Sequence, residues 1–88
     1  PNADFGKAEL SGATLRAANL VEALLGEAVA RRADFSSAQM TSATVRDATL
    51  TEAKFVQVHA AKADFSQAEL KDADFTSATL EGASFVES

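Results

Sequence analysis

Cysteine, tryptophan and tyrosine are absent from this 88-residue sequence, and proline, methionine and histidine occur once each. Without cysteine there is neither a disulfide framework nor a thiolate metal site. A lone histidine, His59, cannot supply the several ligands that a metal centre needs, so it is expected as a solvated surface residue. Long apolar runs are missing too: the longest are a few residues, against roughly 20 for a bilayer span, so no membrane span is expected. The chain opens Pro-Asn-Ala-Asp-Phe, without the charged start and apolar core of a secretory signal. A cytoplasmic location is the expectation, and the absent initiator Met points to a processed protein or an excised piece. Basic residues are scarce: 8 Lys and Arg against 13 Asp and Glu leave a net charge of −5. That argues against direct nucleic-acid binding, because phosphate contacts require a basic surface.

The residues that are present form a pattern. Hydrophobic residues make up 47% and charged residues 24%, a globular balance, and the length allows a single domain over residues 1–88. Alanine recurs every five residues from Ala3 to Ala83, at sixteen of seventeen sites, with Val58 the exception. Two places after each alanine the residue is usually large and apolar, from Phe5 and Leu10 to Leu80 and Phe85; only Ala30 and Ala60 depart. All six phenylalanines and seven of the eight leucines lie on this second stripe.

A period of five fits neither the 3.6 of a helix nor the 2.0 of a plain strand. Within one unit, however, the two stripe residues are two apart, which puts both side chains on one face of an extended backbone. The other three residues must turn the chain before the next unit begins. Repeating a short extended piece and a corner winds the chain into an all-β solenoid whose coils hydrogen-bond at strand spacing. Alanine on one stripe is then a volume constraint, since a narrow, close-packed interior has room for one bulky residue per unit.

Ala-Asp-Phe-Ser-Ser (33–37), Ala-Asn-Leu-Val-Glu (18–22), Ala-Asp-Phe-Ser-Gln (63–67) and Ala-Asp-Phe-Thr-Ser (73–77) resemble the unit of the pentapeptide repeat family, written A-(D/N)-L-x-x. The resemblance runs through essentially the whole chain in unbroken register. It implies a right-handed quadrilateral β-helix with four units, or 20 residues, per coil and about four coils in this chain. The count of four sides comes from the resemblance: opposite charges at separation 20 (Lys7/Glu27, Arg32/Glu52, Asp34/Lys54, Lys54/Asp74) are matched in number at separation 15.

With 20 residues per coil, Leu15, Phe35, Phe55 and Phe75 form one interior column, and a rod about 20 Å long results. Two units break the pattern. In Val58-His59-Ala60 the small stripe gains the volume that the large stripe loses, whereas Ala28-Val29-Ala30 has no such compensation.

Nothing in the polar residues assembles a catalytic or cofactor site. Asp4, Asp34, Asp64 and Asp74 stand between the two stripes, where a short carboxylate hydrogen-bonds the backbone of the corner. Paired acid–base catalysis would need a cleft that a convex rod lacks. Serines and threonines have no base beside them, and Gly6, Gly12, Gly26 and Gly82 fall at corners without a phosphate-binding spacing.

The segment 20–32 also reads as an amphipathic helix, but the register passes through it unbroken, so a normal coil with Val21, Leu24 and Val29 facing outward is expected. Those three beside Arg31 and Arg32 make a candidate partner patch. On a four-sided coil Asp4, Glu27, Asp47, Asp64 and Glu87 share the most acidic face. Phe75, Leu80 and Phe85 carry the large stripe to the C-terminal end without polar termination, a candidate surface for a weak end-to-end homodimer. The reading that follows is a non-catalytic β-helical scaffold or interaction module for a protein partner, part of a larger protein. The resemblance also implies an alternative, a DNA mimic that binds DNA gyrase, of the kind linked to quinolone resistance.

Overall fold

The computed structural model describes residues 3–88. Every unit repeats one local conformation. The residue after the small stripe makes one parallel bridge to each neighbouring coil, the large residue follows, and two turn residues complete the five. Bridges join Asp4 to Leu24, Glu9 to Val29, Thr14 to Asp34 and Asn19 to Gln39, and the same offset of 20 continues to Asp64–Ser84. The coil therefore contains 20 residues and four corners. Its strands are reduced to isolated bridges, because a five-residue unit leaves no room for an extended run between corners.

Every corner except that of residues 45–48 is a hydrogen-bonded four-residue turn. Ala8 N–H donates to Phe5 C=O at 2.9 Å, and the bond recurs in step as far as Ser88 N–H to Phe85 C=O at 3.1 Å. The third turn residue has positive φ at every corner, fifteen non-glycine residues from Lys7 to Glu87 between 58° and 63°, with Gly12 at 74° and Gly82 at 73°. Positive φ at the third position alone defines a type II turn. For a residue with a Cβ it costs roughly 1–2 kcal/mol.

The ladder between coils offsets that cost. On each side the N–H of the large residue donates to the bridging carbonyl of the next coil (Phe5 to Leu24, 2.6 Å). The bridging N–H donates back (Leu24 to Ala3, 2.7 Å), and the positive-φ residue adds a third bond (Lys7 to Gly26, 2.9 Å).

Both stripes face inward. Small and large residues from Leu20 to Ala68 are buried, while the first and last coils, including Phe5, Leu10, Leu15, Leu70, Phe75, Leu80 and Phe85, are partly buried and packed against that core. Phe35, Phe55 and Phe75 stack in one column, with centroids 4.9 and 4.7 Å apart, and Phe65 stacks on Phe85 at 5.1 Å. The two stacks rise from opposite walls and meet edge to face, Phe55 to Phe65 at 5.6 Å and Phe65 to Phe75 at 5.7 Å. Ala30 lies half a coil from Met40, and both are buried; a long, flexible methionine is the side chain best suited to fill space beside a small one. The Cα extents are 25 × 25 × 22 Å, so the expected rod is a block as broad as it is long. Four coils at strand spacing reach only the width of one coil.

Candidate functional site

The four sides carry different chemistry. The first comprises residues 3–7, 23–27, 43–47, 63–67 and 83–87; the second starts at 8, the third at 13 and the fourth at 18, each repeating every 20 residues. All functional groups available to a partner stand on these sides, at the bridging positions and the corners.

The aspartates between the stripes hold the corners that follow them. Oδ1 of Asp4, Asp34, Asp64 and Asp74 accepts the N–H two residues on, from Gly6, Ser36, Ser66 and Thr76, each at 2.9 Å; Asn19 does the same for Val21 at 3.2 Å. At two corners the second carboxylate oxygen takes an arginine from the coil before. Arg16 Nη1 donates to Asp34 Oδ2 at 3.2 Å, and Arg46 Nη1 to Asp64 Oδ2 at 3.3 Å. Ser36 and Ser66 are buried there, and the Ser66 hydroxyl meets that of Ser84 at 3.0 Å.

These contacts favour the ionised carboxylate. The Ser36 side chain, then its backbone N–H, hold Asp34 below the ordinary aspartate range, with Arg16 adding to the effect; Ser66 and Arg46 do the same for Asp64. Asp74 is lowered by the Thr76 side chain and backbone, and by Lys54 through space. The sequence contains the signal for the clamp, Arg at i, Asp at i+18 and Ser at i+20, but a search at multiples of five passes over it.

The five acids Asp4, Glu27, Asp47, Asp64 and Glu87 do fall on the first side. Three meet other side chains there: Glu27 with Lys7 at 4.0 Å, Asp64 with Arg46, and Glu87 with the Gln67 amide at 3.0 Å. The apolar patch is divided. Val21 lies at the corner leading into the first side, and Leu24 in the middle of that side. Val29 belongs to the second side, and Arg31 and Arg32 to the corner beyond it. Leu24 is 45% exposed, Val21 and Val29 are half-buried, and Arg32 reaches Glu52 at 3.5 Å. A helix over 20–32 is ruled out by the bridges of Leu24 and Val29. In the last coil Phe75, Leu80 and Phe85 occupy the third, fourth and first sides and are half-buried. His59 is exposed on the fourth side, bridged to Gln39 and Thr79.

Among the described residues there is no pocket, no group of three or more His, Cys, Asp or Glu placed to hold a metal ion, and no helix long and apolar enough to cross a membrane. What such a surface can do is present side chains in fixed rows about one strand spacing apart.

A four-cornered coil of five-residue units defines the chain as a short-repeat β-solenoid. The family described as Pentapeptide repeats (8 copies) matches the chain twice, over residues 8–47 and 48–86. The chain belongs to the pentapeptide repeat family. Among solved structures it resembles a pentapeptide repeat protein from the Arabidopsis thaliana thylakoid lumen, with 31% identity and a TM-score of 0.63 over 97% of this chain and 59% of that one. It also resembles one from the cyanobacterium Cyanothece 51142, with 22% identity and a TM-score of 0.54 over 92% of this chain and 58% of that one. The chain thus spans well under two thirds of the length of either protein. No curated protein matches its sequence.

Proposed function

We propose that this chain is a section of a right-handed quadrilateral β-helix that serves, without catalysis, as a scaffold or protein–protein interaction module of a larger protein. The observation that supports this most is a surface without a pocket among the described residues. Substrates are ordinarily held in concave sites, whereas rows of side chains on flat sides suit a macromolecular partner. A substitution scan of the outward positions in the parent protein, scored for function and abundance in its host, tests the reading. Sensitive positions should gather on one side; equal tolerance on all four would contradict it.

A second reading, a DNA mimic that binds gyrase, draws on the alignment of Asp4, Glu27, Asp47, Asp64 and Glu87. Lys7 and Arg46 stand on the same side and offset part of that charge. Adding the chain to a gyrase supercoiling reaction separates the two: inhibition supports mimicry, and neither inhibition nor fluoroquinolone protection removes it. For the 88-residue chain on its own, an end-to-end dimer through Phe75, Leu80 and Phe85 is part of the same proposal, since the outward ladder of the last coil lacks a neighbour within this chain.

A further inference from the structure

Among the described residues the exposed large hydrophobics are Leu24 and Val86. Val86 lies in the last coil. Leu24 stands in the second coil, at a bridging position where the same row elsewhere carries Asp4, Thr44, Asp64 and Ser84. An apolar side chain has replaced a polar one on a flat, solvent-facing side, next to a corner whose first two levels are Gly6 and Gly26.

Neither glycine is required by the fold. Positive φ belongs to Gly12 and Gly82, and Gly6 and Gly26 fall outside that region. A Cβ on Gly26 would meet only the Arg46 carbonyl oxygen at 3.7 Å, an ordinary contact. A Cβ on Gly6 would meet Asp4 Oδ1 at 3.2 Å, yet Ser36, Ser66 and Thr76 carry a Cβ at the same place beside the same 2.9 Å bond. Val21, Val56 and Val86 fill the equivalent corner position elsewhere in this chain. The two stacked glycines leave bare backbone beside Leu24, which lets another chain approach closely. Around this strip Asp4, Glu22, Glu27 and Asp47 are exposed, against Lys7, which lies 4.0 Å from Glu27, and Arg46, whose guanidinium turns away to Asp64 at 3.3 Å.

We propose that Leu24 with the bare corner at Gly6 and Gly26 is a docking strip for a protein segment that carries a bulky apolar side chain next to lysine or arginine. The apolar side chain rests on Leu24 in the space the glycines leave open, and the basic residue meets the surrounding carboxylates. Charge complementarity selects this occupant over an acidic or neutral one. The proposal rests on the interaction-module reading and names its partner's chemistry.

The test is a selection of phage-displayed random 12-residue peptides on the 88-residue chain, followed by fluorescence anisotropy with the enriched peptides. Enriched sequences should pair a bulky apolar residue with Lys or Arg. Leu24→Ser and Gly26→Val should each weaken them at least tenfold, while both variants keep the wild-type circular dichroism spectrum and Gly26→Val melts no lower than wild type. His59→Ser, on another side, should bind as wild type does. Acidic or neutral enriched peptides, or binding indifferent to both substitutions, overturn the proposal. Peptides whose binding maps to another side overturn it while leaving the module reading intact. No enrichment also overturns it, and the module reading then stands or falls on the scan of outward positions.

Discussion

Phe55 and Phe65 meet edge to face across the interior, centroids 5.6 Å apart and planes at 88°, although ten residues and half a coil separate them. Opposite walls of the solenoid thus touch through their side chains. The core is a herringbone of two phenylalanine stacks, a geometry that aromatic quadrupoles favour over a face-to-face sandwich.

Phe55 is fully buried and touches rings above, below and across, while its neighbour Lys54 is exposed. Phe55→Ala should cost roughly 3–5 kcal/mol, a fall in melting temperature of more than about 12 °C in a domain of this size. Lys54→Ala should stay within about 0.5 kcal/mol. Thermal denaturation of the two variants checks this; equal melting would contradict the assignment of inward and outward positions.

Asp34, Asp64 and Asp74 ionise more readily in the folded chain than at the ordinary value of 3.8. Near and below that value the unfolded chain binds more protons, so stability rises with pH there. Their contribution is fully present above the ordinary aspartate value and is lost as pH falls through the lowered folded values. Urea melts between about pH 2 and pH 6 should show this slope, set against ordinary carboxylate values. The triple variant Asp34→Asn, Asp64→Asn, Asp74→Asn should flatten it; an unchanged slope would place the acid sensitivity elsewhere.

Leu24→Ser should change stability by less than about 1 kcal/mol, since the side chain is outward and half exposed. A fall of many degrees in the melting temperature would mean that Leu24 is held in the core.

For the isolated 88-residue chain, sedimentation equilibrium should show weak dimerisation that grows with concentration and is abolished by Phe85→Asp. Phe85 ends the large stripe, half-buried on Phe65. A strictly monomeric wild type contradicts the end-to-end contact, and a dimer indifferent to the substitution moves it elsewhere.

The two stripes were legible in the sequence because each unit places the same volumes at the same two positions. The aspartate corners were legible for the same reason. The number of sides was not, because only some charges line up along the columns: Lys7 meets Glu27 and Arg32 meets Glu52 at an offset of 20, too few to stand out when opposite-sign pairs are equally numerous at an offset of 15. Arg16 and Arg46 lean to aspartates eighteen residues on, and Lys54 closes no ion pair within 4.0 Å with Asp34 or Asp74 above and below it. The patch of Val21, Leu24, Val29, Arg31 and Arg32 looked continuous because it is so along the chain. One corner between Leu24 and Val29 turns them to different sides. The contact of Phe55 with Phe65 was hidden because columns describe each wall alone, and only the width of the coil decides whether opposite walls touch.

The pairing of position 54 with position 74 tests the twenty-residue coil most directly. The chain has no cysteine, so Lys54→Cys with Asp74→Cys can be compared with Lys54→Cys with Glu69→Cys, a pair fifteen residues apart on adjacent sides. Parallel neighbours at strand spacing fall within the roughly 4.4–6.8 Å between Cα atoms that a disulfide spans. Mild oxidation of the folded protein should close the 54–74 pair and leave the 54–69 pair as free thiols; closure of 54–69 with 54–74 remaining reduced would contradict the four-sided coil on which every surface assignment depends.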